Sequence, residues 1–289
     1  MLYIVARPDN VIGQRRSGGV EHVVYARRVT ADRPDRSPGL LYLLGEARAP
    51  LEAAALLPAL PSLMSAPKGD GHHVVMIPPF GAGDAFTTVL RAYLGRMGYT
   101  VHKWGRSEIL AFHRMHTIAV PRMREVVEEA GGPVSLIGHS LGGIYAREVA
   151  RVDPDNVRRV ITVGSPFAGD LKSNIVWPVY ESVTGTRIAS IPDDVMERLN
   201  EPLPMPTSAI YSRTDGVVSW FACIDKEAPM AENISVPGSH VGLLHNPAVL
   251  YVIADRLAQA DGVHEPFAPE NWTRHVASTG PWRRTKDAP

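Results

Sequence analysis

Cysteine is nearly absent from this sequence of 289 residues, which contains a single one, Cys223. One cysteine excludes an internal disulfide and fits a reducing compartment. Neither charge is in excess, because 30 lysine and arginine residues balance 30 aspartate and glutamate residues. Binding to nucleic acid needs a basic face on the protein, so we expect no partner of that class.

Long apolar runs are missing as well. The longest, residues 50–64, is interrupted by Glu52, Pro58 and Pro61 and is shorter than the roughly 20 residues that span a bilayer. The apolar start of the chain is closed by Arg7 and has no basic region before it, so no signal peptide is recognisable. We therefore expect a cytoplasmic protein without a transmembrane segment.

The same run has leucines and alanines at helical spacing, which predicts an apolar helix face. This face could dock on a membrane or a partner, and packing against the domain is the favoured interpretation. The series consists of Leu51, Ala54, Ala55, Leu56, Leu57, Leu60 and Leu63.

Short strand-like runs alternate with helical patterns through the middle of the chain. Strands are predicted over 73–77, 99–104, 134–137, 157–163, 207–212 and 233–236. Helices are predicted over 86–97 with Asp84 as N-cap and Gly98 as terminator, over 109–130 with an interruption at Pro121, over 141–152, and over 246–257. This alternation predicts one α/β domain over 40–262, with a mostly parallel sheet and helices on both of its faces.

Three segments depart from this rhythm. Residues 1–39 are rich in arginine and proline and are predicted to be a flexible N-terminal extension or an over-long translated start, although 20–29 could form a strand. Residues 263–289 are predicted to be a loosely structured tail. Residues 167–205 form a long insertion, which is either ordinary helical packing over the sheet or an apolar cap with an acyl pocket.

The pentapeptide Gly138-His139-Ser140-Leu141-Gly142 stands between a strand-like run and a helical pattern. In a G-x-S-x-G sequence the chain turns sharply from strand to helix and exposes the serine hydroxyl for attack on a carbonyl. The turn needs glycines because a larger residue would collide with neighbouring backbone. Ser140 is therefore the candidate nucleophile.

A serine nucleophile needs a base, usually a histidine that follows it in the chain on this kind of fold. Four histidines follow Ser140. His264 and His275 lie in the poorly patterned tail, and His245 directly precedes a helix. His240 follows a strand-like run in a flexible turn and is favoured over His245.

The third member of such a catalytic triad is an acid that orients the histidine. Asp215 is the best placed, because it ends a strand-like run and leads into a turn at Gly216, although turn aspartates are common for purely structural reasons. The other candidates are Asp193 and Asp194 in the cap, and Asp225 near Cys223.

Hydrolysis also needs N–H groups that bind the developing oxyanion. One comes from the residue after the nucleophile, Leu141, and the other from the loop after an earlier strand. That loop starts with Pro78 and Pro79, which cannot donate, so Phe80 has the first available N–H.

Four stretches together resemble an α/β-hydrolase of the bacterial lipase and esterase type. They are residues 138–143, 164–166, 211–218 and 238–240, and the resemblance covers about 40–262. It implies Ser140 as nucleophile, Asp215 as acid and His240 as base. Many relatives have His-Gly before the oxyanion residue where this chain has two prolines. Candidate pocket residues are His139, Phe167, Trp177 and Tyr180.

The predicted activity is cleavage of a small-molecule carboxylic ester, which could be lipid-like, through an acyl-enzyme intermediate and with no cofactor. Acyl transfer or thioester cleavage would use the same triad, and a non-catalytic binding module would have a broken one. No metal is expected. His72 and His73 point to opposite faces if they lie on a strand, and His113 and His116 lack a third ligand at matching spacing.

Overall fold

The computed structural model describes residues 14–17, 20–23, 38–105, 115–168, 181–182, 197–268 and 278–279. Within the predicted N-terminal extension, β1 (Gln14–Ser17) and β2 (Val20–Val23) form an antiparallel pair. The predicted cap lies mostly outside the described residues, and so do Trp177, Tyr180, Asp193, Asp194, His113 and His275. Their predicted roles therefore stay predictions.

A seven-stranded sheet forms the centre of the described structure. Its strands are β3 (His73–Ile77), β4 (Thr100–His102), β5 (Val134–His139), β6 (Val157–Val163), β7 (Thr207–Tyr211), β8 (Ala231–Ser235) and β9 (Ser278–Thr279). They are ordered β4-β3-β5-β6-β7-β8-β9, and every neighbouring pair is parallel except β8 with β9. The predicted mostly parallel sheet is confirmed.

Helices cover both faces of this sheet. They are α1 (Leu40–Gly45), α2 (Ala49–Ala54), α3 (Leu56–Met64), α4 (Thr88–Met97), α5 (Met115–Ala130), α6 (Leu141–Val152) and α7 (Pro247–Leu257). Side chains alternate along each strand, so Val74 and Met76 of β3 pack with α3, α4 and α7, whereas Val75 and Ile77 pack with α5 and α6. The two layers of core fix the strand ends from which the candidate site is built.

Two local predictions were wrong. Helix α5 runs through Pro121 without the predicted interruption, since a missing N–H removes only one bond of a long helix that packs on the sheet. Asp84 is not an N-cap but the first residue of a 3₁₀ helix. Its carboxylate accepts hydrogen bonds from the N–H groups of Trp104 (2.9 Å) and Gly105 (3.0 Å) instead. The predicted terminator Gly98 is confirmed, with a left-handed φ of 102°.

Residues 40–64, which we call the arm, comprise α1, a 3₁₀ turn at Glu46–Arg48, α2 and α3. Packing against the domain is confirmed for Leu56 and Leu63 of the leucine series. Leu51 and Leu57, however, are 73% and 74% exposed. One side of the arm thus packs on the domain, and the other side is an apolar surface exposed to solvent.

The first residues of the predicted C-terminal tail pack on the domain. Phe267 is buried beneath the guanidinium of Arg256, and its N–H donates to Glu232 at 2.7 Å. Further along the tail, β9 pairs with β8 at the edge of the sheet. In the described part of the chain, no helix has both the length and the apolar character to cross a membrane.

Candidate active site

The three predicted triad residues follow three strands of the sheet at their carboxyl ends. Ser140 comes directly after β5, Asp215 four residues after β7, and His240 five residues after β8. Parallel strands direct these ends to one edge of the sheet, which is where open α/β sheets bind ligands. Topology alone therefore gathers the three side chains in one region.

Ser140 has a strained backbone. Its φ of 55° and ψ of −124° make it the one non-glycine residue with positive φ in the part of the chain that the structure describes. Its N–H donates to the carbonyl of Val163 on β6 at 2.8 Å, which fixes the turn to the neighbouring strand. A conformation this unfavourable persists only where the surroundings enforce it, and it is typical of functional sites.

The glycines of the turn are packed against backbone. A Cβ on Gly138 would lie 2.3 Å from the carbonyl oxygen of Gly142, and a Cβ on Gly142 would lie 2.4 Å from that of Ile77. A Cβ on Gly143 would lie 2.0 Å from the Ser165 hydroxyl. Because no real side chain tolerates such distances, these positions require glycine for the turn to form.

His240 and Asp215 form a buried pair. The distance from His240 Nδ1 to Asp215 Oδ2 is 2.7 Å, and both residues are almost inaccessible to solvent. The other carboxylate oxygen, Oδ1, accepts hydrogen bonds from the N–H groups of Val217 (2.8 Å) and Val218 (2.7 Å). Asp215 is therefore held in one orientation, and Nδ1 is the ring nitrogen that donates to it. Nε2 is left as the atom able to accept a proton.

The surroundings of His240 favour its protonated form. Burial lowers the pKa of His240, but the charge of Asp215, its hydrogen bond and the charge of Glu46 outweigh burial and raise the pKa above the ordinary value of 6.5. A base with a raised pKa takes a proton from a hydroxyl more readily.

His139 lies between His240 and Phe86. Its ring centroid is 4.9 Å from that of His240 and 5.7 Å from that of Phe86, with which it is stacked. Its Nε2 donates to the His240 carbonyl at 3.1 Å. Burial and the nearby His240 ring hold the pKa of His139 well below 6.5, so this histidine is neutral and acts as a donor.

The alternative acid and base lie in other surroundings. His245 meets the edge of Phe86, at 5.4 Å between ring centroids, and burial lowers its pKa. Asp225 forms a fully buried ion pair with Arg147, at 2.5 Å between Oδ2 and the nearer guanidinium nitrogen. The structure thus brings His240 to Asp215 and uses Asp225 elsewhere.

The candidate oxyanion donors come from two neighbouring segments. Leu141 is the first residue of α6, so its N–H belongs to the first turn of a helix, whose N–H groups point away from the helix body. Gly142 packs against the carbonyls of Ile77 and Pro78 and so brings the loop that contains Phe80 beside the serine turn. The oxyanion role of Phe80 and Leu141 stays a prediction.

Of the predicted pocket residues, His139 and Phe167 are described. Phe167 is buried, and the Arg147 guanidinium lies 3.9 Å from the centre of its ring. His139 lies beside the Ser140 turn. The contribution of either residue to a substrate pocket stays a prediction.

The sequence did not predict that residues of the arm reach the candidate active site. Glu46, Arg48 and Glu52 contact the loops of Asp215 and His240, and Arg48 donates to both the carbonyl and the hydroxyl of Thr214 at 2.8 Å. The only local signal is the spacing of Arg48 and Glu52, which form an i, i+4 ion pair. Nothing in that spacing points to loops so distant in the sequence.

The neighbouring histidines His72 and His73 contact different partners. His72 contacts Asp70 and Ser135, whereas His73 contacts His102, so the two rings do not share a site. Among the residues that the structure describes, no three His, Cys, Asp or Glu side chains are grouped as metal ligands.

Comparison with known proteins supports the fold. Residues 102–283 match the model of the alpha/beta hydrolase family, which is more than half of the chain. The protein therefore belongs to the alpha/beta hydrolase family, as the resemblance predicted, and hydrolase is the class that the family and fold define. No curated protein matches the sequence.

Two solved structures illustrate the likeness. Aspergillus fumigatus lipase B shares 15% identity at a TM-score of 0.51, and the match covers 68% of this chain but only 55% of the lipase. Paleococcus ferrophilus monoacylglycerol lipase shares 17% identity at a TM-score of 0.48, over 65% of this chain and 97% of that enzyme. At such identities the likeness concerns the fold.

Proposed function

We propose that the protein is a serine hydrolase that cleaves carboxylic esters through an acyl-enzyme intermediate. The observation that carries this proposal is the buried pair of His240 Nδ1 and Asp215 Oδ2, 2.7 Å apart, next to the strained turn at Ser140. The lipases among the similar structures agree with an ester substrate, which could be lipid-like. The reaction needs no cofactor, and the single buried cysteine, Cys223, suits a cytoplasmic location.

In the proposed first half-reaction, His240 Nε2 removes the hydroxyl proton while Ser140 Oγ attacks the ester carbonyl carbon. The N–H groups of Leu141 and Phe80 bind the resulting oxyanion. When the tetrahedral intermediate collapses, the carbon–oxygen bond to the alcohol breaks, and His240 gives its proton to the departing oxygen. Asp215 keeps the imidazole in the required tautomer and stabilises its charge throughout.

In the second half-reaction, water attacks the acyl group on Ser140 with His240 again as base. The serine regains its proton and the carboxylic acid leaves. His139 donates to the carbonyl of His240 and would keep that residue in place through both steps. The acyl chain would contact His139, Phe167, Trp177 and Tyr180. The apolar outer surface of the arm is where peripheral contact with a membrane is proposed.

The test is hydrolysis of p-nitrophenyl esters of increasing acyl length by the wild type and by Ser140→Ala. We expect hydrolysis by the wild type and a loss of roughly 10³-fold or more in the variant, since removing the nucleophile leaves only binding and oxyanion stabilisation. Ser135→Ala is a matched control, because that serine is buried on β5 and binds His72. Full ester hydrolysis by Ser140→Ala would refute the proposal.

Further substrates separate ester hydrolysis from thioester cleavage, acyl transfer and a non-catalytic binding role. A parallel series of thioesters, and added alcohols as acyl acceptors, would reveal thioester cleavage or acyl transfer on the same serine. A non-catalytic binding module would show neither hydrolysis nor transfer with any substrate.

A further inference from the structure

The arm contacts both loops that carry the proposed acid and base. Glu46, in the 3₁₀ turn between α1 and α2, accepts three hydrogen bonds from backbone N–H groups of these loops. Its Oε1 binds Gly216 at 2.7 Å and His240 at 2.9 Å, and its Oε2 binds Val241 at 3.0 Å. One carboxylate therefore connects the residue after Asp215 with His240 itself.

A second carboxylate of the arm binds the preceding residue of the histidine loop. Glu52 Oε1 accepts from the Ser239 N–H at 2.8 Å, and its Oε2 accepts from the Ser239 hydroxyl at 2.9 Å. Arg48 donates to Glu52 at 2.9 Å and to Thr214 in the acid loop. Hydrogen bonds to a charged acceptor are stronger than neutral ones, so these contacts hold the loops firmly.

The acid loop approaches the backbone of the arm so closely that Gly216 is required, and Gly242 of the histidine loop packs against the Glu52 side chain. A Cβ on Gly216 would lie 2.2 Å from the carbonyl oxygen of Tyr42, and a Cβ on Gly242 would lie 1.9 Å from Glu52 Oε2. Such tight contact is more than an incidental surface interaction. The arm precedes the residues that match the family model, 102–283.

These contacts complete the fixation of His240. Its ring is held by Asp215, its carbonyl by His139, and its N–H by Glu46. We propose that Glu46 is a positioning residue that fixes the His240 backbone and adds negative charge beside its ring, with Glu52 fixing Ser239. The inference rests on the proposed role of His240 as base.

Replacement of Glu46 by glutamine should impair the base in two ways. The amide keeps one oxygen but turns an NH₂ group toward a backbone N–H, so the loop shifts. Among the described residues, the titratable groups around His240 are Asp215, Glu46 and His139, and the variant loses the charge of Glu46. We expect the His240 pKa to fall and kcat to drop on the order of 10- to 100-fold with little change in KM, since small misplacements have effects of this size.

The experiment follows His240 directly in the full-length protein. The imidazole pKa and the Nδ1 proton resonance are measured by NMR with ¹⁵N-histidine, assigned through His240→Gln. Wild type, Glu46→Gln and Glu128→Gln are compared, the last being the same change at an exposed position of α5. The rate at which a fluorophosphonate labels Ser140 and the melting temperature are recorded for each protein.

The expected result is a lower His240 pKa and slower labelling in Glu46→Gln, and wild-type values in Glu128→Gln. Glu52→Gln keeps the charge of Glu46 and should slow labelling with a smaller pKa change, so it provides the test if Glu46→Gln does not fold. An unchanged pKa, Nδ1 proton and labelling rate in a folded Glu46→Gln would overturn the inference. A wild type that never labels would refute the proposed function instead, while the NMR comparison still decides the role of Glu46.

Discussion

At the scale of single residues, the proposed chemistry depends on which carboxylate orients His240. Two buried aspartates lie on loops after the central strands, and each already has a strong partner. Asp215 contacts His240 at 2.7 Å, whereas Asp225 contacts Arg147 at 2.5 Å. The same substitution at the two positions should therefore have opposite consequences for activity and stability.

Asp215→Asn should lower kcat/KM by roughly 10³- to 10⁴-fold, because an amide cannot hold the imidazole in the required tautomer or stabilise its charge. Ester hydrolysis measured below the melting temperature checks this expectation. Asp155→Asn, at an exposed position after α6, serves as the control. Activity within tenfold of the wild type would exclude Asp215 as the orienting acid.

The raised pKa of His240 predicts a particular pH profile. Below its pKa the imidazole is protonated and cannot accept the Ser140 proton, so kcat/KM should fall tenfold per pH unit on the acidic side. Because Asp215 and Glu46 raise the pKa above 6.5 despite burial, the midpoint of this limb should lie above 6.5. A profile of kcat/KM against pH measures it. A midpoint at or below 6.5 would contradict the electrostatic account of the site.

At the scale of elements, the turn between β5 and α6 sets the geometry of the nucleophile. Gly142→Ala places a Cβ 2.4 Å from the Ile77 carbonyl oxygen, so β3 and α6 must separate. We expect a loss of roughly 3 kcal/mol of unfolding free energy, together with loss of fluorophosphonate labelling. Denaturant unfolding and labelling are the two measurements.

Gly95→Ala on α4 is the matched control for that change. A Cβ there meets open space, and the position is exposed within a helix. Alanine should leave labelling unchanged and raise the unfolding free energy by about 0.5–1 kcal/mol, since glycine is disfavoured inside helices. If the two variants behaved alike, the packing argument for Gly142 would fail.

Sequence patterns predicted the elements well where the physical signal is local. Strands β3 and β6 begin and end at the predicted residues, because each carries a run of buried, mostly apolar residues, 74–77 in β3 and 160–163 in β6. The cap of α7 was also predicted, and Asn246 accepts from the Ala248 N–H at 2.9 Å. Strand β9 was not predicted, because a strand of two residues has no periodicity to detect.

The residues of the candidate site likewise divide into those that a local sequence signal predicted and those that it did not. The serine turn is a local motif, and chain order favoured His240 and Asp215, which the structure brings together. Glu46 could not be predicted, because its partners at 216 and 240 are distant in sequence and are backbone groups, which leave no trace in residue identity. Contacts of a side chain with distant backbone appear only in the folded structure.

At the scale of the whole molecule, a buried ion pair connects α6 with the segment after β7. Arg147 and Asp225 are both inaccessible to solvent, and the guanidinium also donates to the carbonyl of Glu201 at 2.9 Å and stacks on Phe167. Removing one partner of such a pair leaves an uncompensated charge in the interior. Because the Asp225 carboxylate contacts Arg147 and not His240, we expect its removal to lower stability more than activity.

Asp225→Asn should lower the unfolding free energy by about 3–5 kcal/mol, because the Arg147 charge then has no counterion. Specific activity well below the melting temperature should stay within a few-fold of the wild type. Denaturant unfolding and ester hydrolysis of the same preparation provide both numbers, again with Asp155→Asn as control. A stable but inactive Asp225→Asn would assign this aspartate to the chemistry and contradict the account.

The most direct test of the central claim is to locate the phosphonate adduct by mass spectrometry after treating the native protein with a fluorophosphonate. The account predicts a single adduct on Ser140, which is absent in Ser140→Ala and slowed strongly in His240→Ala. No adduct on the folded protein, or an adduct on another serine that persists in Ser140→Ala, would contradict the proposal that Ser140 is an activated nucleophile.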